Sequence, residues 1–316
     1  MYLLGFDIGG TKCSAVTAEW DGDQVKLLRK STCDTEQGLP PSATVDRLFE
    51  CADEILERLP DRIGISCGGP LDSKRGIIMS PPNLPEWDNI AISDQALERF
   101  GAPANLINDA NAGALAEWRF GAGRGCENMI FMTFGTGLGG GLILNGRLYE
   151  GTNGNAGEVG HLRLAELGPT GYGKCGSFEG FCSGGGIAQL GYTMAIEALQ
   201  SGRCPSYFKS GMTSADVTAK RVAMAAAAGD ATALEVFRLS GEYLGRGLSL
   251  LIDLLNPQVV VIGSIFARCR DLLWESAEKA IRKEALPFAA EVCRVVPAVL
   301  GENIGDYAAI AAAIEE

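Results

Sequence analysis

The sequence predicts a two-domain α/β protein, because three features occur together along its 316 residues. A chain of this length exceeds one simple core, so two domains are the natural arrangement. Short apolar runs of strand character alternate with alanine- and leucine-rich stretches of helical character. Each half also contains a strand–glycine turn–strand segment, LLGFDIGGTKCSAV near the start and MIFMTFGTGLGGGLIL in the middle. One domain for each of these hairpins is the simplest organisation.

The elements of the first half follow from apolar spacing. Residues 2–6 are a predicted strand, 7–12 a turn and 13–17 the returning strand. After Pro40-Pro41, apolar side chains at helical spacing predict one amphipathic helix, with Val45, Leu48, Phe49, Ala52, Ile55, Leu56 and Leu59 on its buried face. Residues 62–66 and 104–107 are predicted strands. Ser93 is the predicted N-cap of a helix over 94–100, and Asn108-Asp109 cap a helix over 110–120.

The second half opens with strands on either side of the glycine loop 135–141. Residues 214–229 and 231–255 are predicted helices because they are rich in alanine and leucine. The run 259–262 is fully apolar and predicts a buried strand. Further helices are predicted over 272–284 and in the alanine-rich tail 306–316.

Composition excludes several classes of protein. The net charge is −12, with 39 acidic and 27 basic residues, which disfavours a nucleic-acid surface because such a surface needs a basic stripe. The start, MYLLGFDIGG, lacks the basic and apolar regions of a signal peptide. The longest apolar stretch, 248–267, is interrupted by Asp253, Asn256 and Pro257 and does not predict a membrane span. Ten scattered cysteines indicate reduced thiols and a cytoplasmic protein.

Both glycine turns can bind anions, because backbone N–H groups without a Cβ approach an anion closely. In DIGGTK, Asp7 can hold Mg²⁺ through water, while Gly9, Gly10 and Thr11 can line phosphates. A plain hairpin turn is the alternative for this segment. GTGLGGG is not a dinucleotide-binding fingerprint, because a strand follows it rather than a helix. Its five glycines cost backbone entropy, which argues against a turn without function.

Several polar residues have a catalytic interpretation and a structural one. Asp109 is either only a helix cap or the carboxylate that accepts a hydroxyl proton during phosphoryl transfer, where an ordinary carboxylate suffices. Glu158 and His161, with Glu179 and Asn83, offer donors and acceptors suited to sugar hydroxyls. His161 is the only histidine, and a lone histidine is more often structural than catalytic. No G-x-S-x-G segment supports a serine-type triad.

These segments resemble the ROK family (repressor, open reading frame, kinase) of actin-like sugar kinases, over essentially the whole chain. The resemblance rests on the order and spacing of DIGGTK at 7–12, GISCGGP at 64–70, SPPNLPEW at 80–87, INDANAGALAE at 107–117, GTGLGGG at 135–141, NAGEVGH at 155–161, FEGFCSGGGI at 178–187 and LNPQVVVIGS at 255–264. Each piece alone is weak, but the ordered set is specific. The resemblance implies two ribonuclease H-like domains, residues 1–109 with 297–316 and residues 110–296, flanking a nucleotide and sugar cleft.

The resemblance also implies roles for individual residues. Asp109 would be the catalytic base for the sugar hydroxyl. The sugar would be bound by Gly69, Asn83, Asn108, Glu158, His161 and Glu179. ATP would be bound by Asp7 through its Mg²⁺. The first phosphate loop would be Gly9, Gly10, Thr11 and Lys12, and the second would be Thr136, Gly137 and Gly139. Gly263 would contact the nucleoside part. Homodimers are implied too.

The chain departs from the family pattern at two places. Many members carry C-x-C-G-x-x-G-C-L-E, whose cysteines bind zinc together with the histidine of the E-x-G-H motif. Here the three ligand positions are Thr170, Tyr172 and Ser177, and the spacing of Cys175 and Cys182 is not that of a standard zinc pair. We therefore predict no structural zinc. Ser264 stands where a glycine is usual, and its small size predicts that it is tolerated.

The resemblance implies an ATP- and Mg²⁺-dependent hexose kinase, with glucose favoured because PNLPEW looks like the glucokinase branch. N-acetylmannosamine or N-acetylglucosamine kinase is the alternative. A sugar-responsive transcription factor is disfavoured by the acidic charge and by the absence of a helix-turn-helix segment before the first phosphate strand. A non-catalytic sugar sensor is disfavoured by Asp7, Asp109 and the two glycine loops. The expected partners are the sugar and ATP, with no nucleic acid and no membrane.

Overall fold

The computed structural model describes residues 1–36 and 38–315. Its strands are β1 (Tyr2–Ile8), β2 (Lys12–Trp20), β3 (Val25–Asp34), β4 (Arg62–Cys67), β5 (Leu71–Asp72), β6 (Ile77–Ile78), β7 (Ile90–Ala91), β8 (Ala104–Asn108), β9 (Met129–Phe134), β10 (Leu138–Leu144), β11 (Arg147–Leu148), β12 (Thr170–Gly171), β13 (Lys174–Cys175), β14 (Val259–Ile262) and β15 (Arg294–Pro297). Its α-helices are α1 (Pro41–Ile55), α2 (Ile92–Phe100), α3 (Asp109–Phe120), α4 (Phe178–Phe181), α5 (Gly184–Gln200), α6 (Ala219–Ala227), α7 (Ala231–Leu255), α8 (Ile265–Glu284), α9 (Pro287–Val292) and α10 (Ile304–Ile314).

The chain forms two compact units. The first comprises Met1–Glu127, Gly141–Ala156 and Val299–Glu316, and the second comprises Asn128–Gly140 and Gly157–Ala298. These boundaries differ from the predicted ones, because α3 and residues 141–156 belong to the first unit. The buried Glu117 side chain of α3 accepts hydrogen bonds from the N–H groups of Val299 and Leu300, at 2.9 and 3.0 Å. The start of the returning tail is thus fixed to α3.

The first unit is built on a five-stranded sheet of order β3-β2-β1-β4-β8. Strands β1, β2 and β3 are antiparallel neighbours, whereas β4 is parallel to both β1 and β8. One face buries a core in which Phe6, Phe49 and Phe100 make ring contacts with centroids 5.2–5.9 Å apart. Because β1 and β8 flank β4, the residues that end these strands come together at one edge of the sheet.

The other face of this sheet is covered by α10, and glycines allow the close approach. A Cβ on Gly5 would lie 2.9 Å from the Ala309 Cβ, and a Cβ on Gly64 would overlap the backbone of Ala309 and Ala313. Leu3, Val16 and Ile310 are buried in the resulting core. The helix therefore lies almost directly on the backbone of β1 and β4.

The second unit contains the parallel strands β9, β14 and β15, with β14 between the other two. Helices α7 and α8 pack closely, since a Cβ on Gly241 or Gly245 would overlap the carbonyl of Leu273 or Ala277. Phe178 fills the space beside Gly247, and the rings of Phe181 and Tyr243 stack at 3.5 Å. No described helix is both long and apolar enough to span a membrane.

Several predicted elements need correction. Ser93 is not an N-cap: α2 begins at Ile92, next to β7, and the buried Ser93 Oγ has no hydrogen-bond partner. The predicted helix 214–229 is broken at the extended, buried Val217, and α6 begins after a new cap by Thr218. Helix α8 begins at Ile265, not 272, and is kinked at Cys269. The sequence reading also missed β3 and α5.

Candidate active site

The first glycine turn joins β1 to β2 and is held by the strands beside it. The Gly9 N–H donates to the Lys12 carbonyl at 3.2 Å, and Thr35 Oγ1 donates to the Gly9 carbonyl at 2.7 Å. Thr11 and Lys12 are exposed. A Cβ on Gly10 would lie 2.6 Å from the Asn83 Cβ and 2.8 Å from its carbonyl oxygen. The structure thus brings the predicted phosphate turn and the predicted sugar residue Asn83 together.

Asp109 opens α3 directly after β8. The adjacent Asn108 caps this helix as predicted, because its Oδ1 accepts from the N–H groups of Ala110 at 3.0 Å and Asn111 at 3.4 Å. A Cβ on Gly69 would lie 3.2 Å from the Asn108 amide nitrogen. The Asp109 side chain is exposed, so it can reach a substrate. The predicted residues Gly69, Asn108 and Asp109 therefore lie side by side.

The carboxyl groups near β1 influence one another. The protein around Asp109 desolvates the carboxylate and raises its pKa, while the Ala110 N–H lowers it. Desolvation also raises the pKa of Asp7 to about 6, helped by the charges of Asp109 and Asp306 and opposed by Lys30. The pKa of Asp109 is thus raised, although an ordinary carboxylate suffices for phosphoryl transfer. Because Asp109 is exposed, water screens part of this effect.

The sequence reading missed the ion pair beside Asp7. Asp306 on α10 is buried, and both of its oxygens lie 2.7–2.8 Å from Lys30 Nζ on β3. Ser14, the cross-strand partner of Asp7, donates to Asp306 at 3.3 Å. A Cβ on Gly305 would overlap the Asp7 carboxylate. The only signal in the sequence was an acidic residue inside an otherwise apolar tail helix.

Asp7 suits a magnesium ion. Its carboxylate offers the hard oxygen ligands that this ion prefers. The charged groups that shift the pKa of Asp7 are two carboxylates, Asp109 and Asp306, and one lysine, Lys30. This excess of negative charge is what a divalent cation would neutralise.

Because the folded state raises the pKa of Asp7 from 3.8 to about 6, ionising it opposes folding. The stabilisation from the protonated carboxyl is complete below pH 3.8 and is lost as the pH rises through about 6. We expect Asp7→Asn, which stays neutral, to raise the free energy of unfolding by about 1–3 kcal/mol at pH 7.5 and hardly at all at pH 4. Thermal denaturation of both proteins across this range measures the difference. An equal gain at every pH would contradict the argument.

The second glycine loop, 135–141, follows β9, and its residues 138–141 already lie in β10. Its conformation is fixed by hydrogen bonds from the Gly139 N–H to Thr133 Oγ1 and from the Leu138 N–H to Glu179 Oε2, both at 3.0 Å. A Cβ on Gly137 would lie 2.7 Å from the same Glu179 oxygen. Thr136, next to Gly137, is exposed. Glu179, predicted to bind sugar, thus also contacts the predicted phosphate loop.

Glu158 and His161 occupy the two ends of one short 3-10 turn, in which the His161 N–H donates to the Glu158 carbonyl at 3.2 Å. Gly160 lies against the second glycine loop, since a Cβ there would overlap the Leu138 carbonyl oxygen and lie 3.3 Å from the Glu179 Cβ. The predicted sugar residues Glu158, His161 and Glu179 are therefore brought together beside this loop.

The start of α5 contacts the second glycine loop, and the sequence analysis assigned no role to it. The N–H groups of Gly184 and Gly185 donate to the carbonyls of Gly135 and Thr136 at 2.7 and 3.5 Å. Ser183 caps the helix by accepting from the Gly186 N–H at 2.9 Å. The signal was present as a serine followed by three glycines.

Gly263 directly follows β14 and donates its N–H to the Met132 carbonyl at 2.9 Å. The next residue, Ser264, lies near the second glycine loop, with its Oγ 3.7 Å from where a Cβ on Gly135 would be. Its φ of 55° and ψ of −115° belong to a region that favours glycine. Serine is therefore strained at this position, although its size alone predicted that it would be tolerated.

We expect Ser264→Gly to raise the free energy of unfolding by about 1 kcal/mol. Glycine relieves the backbone strain, and the relief exceeds the extra conformational entropy that glycine loses on folding. Urea denaturation measures the change. Ser264→Ala is the matched control, since it removes the hydroxyl but keeps the Cβ and should not stabilise the protein. If both substitutions stabilise equally, backbone strain is not the cause.

The positions aligned with the zinc ligands of the family do not suit zinc. Ser177 Oγ accepts from the Gly180 N–H at 3.0 Å and contacts the Gly171 carbonyl, so it caps α4 instead. Thr170 and Tyr172 offer no thiol or imidazole, and the Cys175 thiol donates to the Gly168 carbonyl at 3.1 Å. Within residues 1–36 and 38–315, no group of three or more His, Cys, Asp or Glu side chains is placed to hold a metal ion. All ten cysteines are free thiols.

Comparison with known proteins relates the whole chain to one family. The ROK family model matches residues 3–316. The chain is 33% identical to the glucokinase of Halalkalibacterium halodurans over 96% of its own length and 92% of that protein. It is 30% identical to the ROK hexokinase of Thermus thermophilus, with a TM-score of 0.81, covering 99% of this chain and 98% of that one. A ROK glucokinase from Streptomyces griseus, solved with glucose and AMPPNP, is also 30% identical, with a TM-score of 0.77 and the same coverage.

Proposed function

Because the chain belongs to the ROK family, we propose that it is an ATP-dependent sugar kinase that converts glucose to glucose 6-phosphate. The observation that carries the proposal is the placement of Asp109: an exposed carboxylate of raised pKa, at the start of a helix and beside Asn108 and Gly69. A carboxylate in this position can reach a substrate hydroxyl and accept its proton. The similarity to glucokinases over nearly the whole chain supports the choice of sugar.

In the proposed reaction the sugar hydroxyl oxygen forms a bond to the γ-phosphorus of ATP. The bond from that phosphorus to the bridging oxygen breaks, ADP leaves, and Asp109 accepts the hydroxyl proton. The transition state is loose, so positioning of the two reactants contributes more than the strength of the base. The proposed sugar contacts are Gly69, Asn83, Asn108, Glu158, His161 and Glu179.

The two glycine loops are the proposed phosphate contacts. In the first loop, Gly9 and Gly10 would let phosphate oxygens approach the backbone closely, Thr11 would supply a hydroxyl and Lys12 a positive charge. In the second loop, Thr136 would supply a hydroxyl beside Gly137 and Gly139. Gly263 is the proposed nucleoside contact. Magnesium bound with ATP would neutralise charge on the phosphates, and Asp7 would hold it through a water molecule.

A coupled assay of ADP release tests the proposal across glucose, N-acetylmannosamine, N-acetylglucosamine, allose and fructose with ATP and Mg²⁺. We expect kcat/KM to be highest for glucose, with glucose 6-phosphate identified as the product by ³¹P NMR. A higher kcat/KM for an N-acetylated sugar would assign the alternative substrate. No sugar-dependent ADP release with any of the five would overturn the assignment as a kinase.

We also propose that the protein acts in the cytoplasm as a homodimer without nucleic acid. ATP and reduced thiols belong to that compartment, and the net charge of −12 would repel nucleic acid. Sedimentation equilibrium tests the oligomeric state, and a monomer at micromolar concentration would contradict the dimer.

A further inference from the structure

His161 receives its side-chain and backbone support from a small hairpin in its own unit. Strands β12 and β13 pair antiparallel, with Thr170 opposite Cys175 and Gly171 opposite Lys174. The turn places Tyr172 with its ring edge-on to the His161 ring, the centroids 5.4 Å apart at an interplanar angle of 90°. On the next strand, Lys174 Nζ donates to the His161 carbonyl at 2.6 Å. Tyr172 and Lys174 of one hairpin thus contact the ring and the backbone carbonyl of the same histidine.

The bond from Lys174 fixes more than one residue. It is short and charge-assisted, so it is stronger than a hydrogen bond between neutral groups. The carbonyl that it holds belongs to the last residue of the 3-10 turn that begins after Glu158. Because the His161 N–H also donates to the Glu158 carbonyl, Lys174 is linked through His161 to the backbone of both proposed sugar contacts.

The hairpin itself is fastened to α5 by a single side chain. The Gln189 amide accepts from the Thr170 N–H at 2.9 Å and donates to the Thr170 carbonyl at 2.8 Å. These two bonds use both polar groups of the amide and both backbone groups of Thr170, as a neighbouring strand would. Arg163 adds a bond to the Cys175 carbonyl at 2.8 Å on the other strand. The hairpin is thus anchored on both strands.

We propose that this hairpin positions His161 for sugar binding without a metal ion, with Tyr172 and Lys174 as positioning residues and Gln189 as the fastener of the hairpin. The proposal rests on the proposed sugar-kinase function and goes beyond it. It assigns roles to three side chains outside the predicted sugar and ATP contacts, and it makes sugar affinity depend on them. The partners given above for these three side chains are His161 and Thr170, neither of which is a proposed ATP contact. The affinity for ATP and the proton transfer at Asp109 should therefore change little.

Steady-state kinetics of Lys174→Met and Tyr172→Ala test the proposal. Each substitution should raise the KM for glucose roughly tenfold, with the KM for ATP within about twofold and kcat little changed. The conservative variants Lys174→Arg and Tyr172→Phe keep the donor and the ring edge and should restore the KM for glucose. Leu167→Ala is the matched control in the same loop, because its side chain is 83% exposed. An unchanged KM for glucose in both test variants would overturn the proposal.

A readout that does not depend on turnover separates this proposal from the function on which it rests. Hydrogen exchange of the peptide spanning residues 158–162 should be faster in Lys174→Met than in the unaltered protein and Leu167→Ala. If the protein phosphorylates no sugar but exchange still accelerates, the function fails and the role of the hairpin in ordering His161 remains. Unchanged exchange overturns that role. One equivalent of bound zinc, whose removal by a chelator raises the KM for glucose, would overturn positioning without a metal.

Discussion

Replacing Asp109 with asparagine is expected to lower kcat about 10³-fold, since the variant cannot accept the hydroxyl proton during phosphoryl transfer. Asparagine has nearly the same shape and keeps an oxygen in place of the one that accepts from the Ala110 N–H at 2.8 Å. Helix α3 also retains its cap from Asn108. The dissociation constant for glucose, measured by calorimetry, should therefore change little while turnover is lost.

Asp94→Asn is the matched control for this experiment. Asp94 lies in the first turn of α2 in the same unit and is exposed, as Asp109 is in α3. The control removes one negative charge from the start of a helix without touching the proposed site, and its kcat should equal that of the unaltered protein. If Asp109→Asn retains more than a tenth of the original kcat, another group is the base.

Replacing Gly64 with alanine is expected to lower the free energy of unfolding by about 2–4 kcal/mol. The added Cβ would overlap the backbone of Ala309 and Ala313 in α10, and backbone cannot rotate away as a flexible side chain can. The helix must then move off the sheet, which exposes Leu3, Val16 and Ile310. Urea denaturation measures the loss.

Gly68→Ala is the matched control, just beyond the end of the same strand β4. A Cβ at Gly68 comes no closer than 4.0 Å to a neighbouring atom, that of Asp109, so its effect on stability should stay within about 1 kcal/mol. Equal destabilisation by the two substitutions would show that the loss of glycine flexibility, rather than the contact with α10, is responsible.

Elements whose signals lie within the element itself were predicted well. Helix α7 spans Ala231–Leu255 and β14 spans Val259–Ile262, the ranges that composition predicts. The errors occurred where distant contacts override local preference. Ser93 has the residue type of a cap, but the helix starts before it, beside β7. Leu59 fits the helical spacing of α1, yet the helix ends at Ile55 and Leu59 is 74% exposed.

The candidate site divides in the same way. The glycine loops, the Asn108 cap and the Glu158–His161 turn are each built from residues within a short stretch, so the sequence reveals them. The ion pair of Lys30 with Asp306 joins residues 276 positions apart, and no pattern in the sequence pairs them. The raised pKa of Asp7 depends first on its burial and then on the charges of Asp109, Asp306 and Lys30, so it could not be predicted from the sequence.

The sequence by itself determined the family, the two glycine turns and the identity of the polar residues beside them, because these depend on residue type and short spacing. The tertiary structure alone decided that α3 belongs to the first unit, that Ser264 is strained and that Tyr172 and Lys174 hold His161. Each of these depends on the backbone conformation or on contacts between separate elements. Side chains acquire such partners only when the chain folds, so their effects on charge and position appear only in the folded protein.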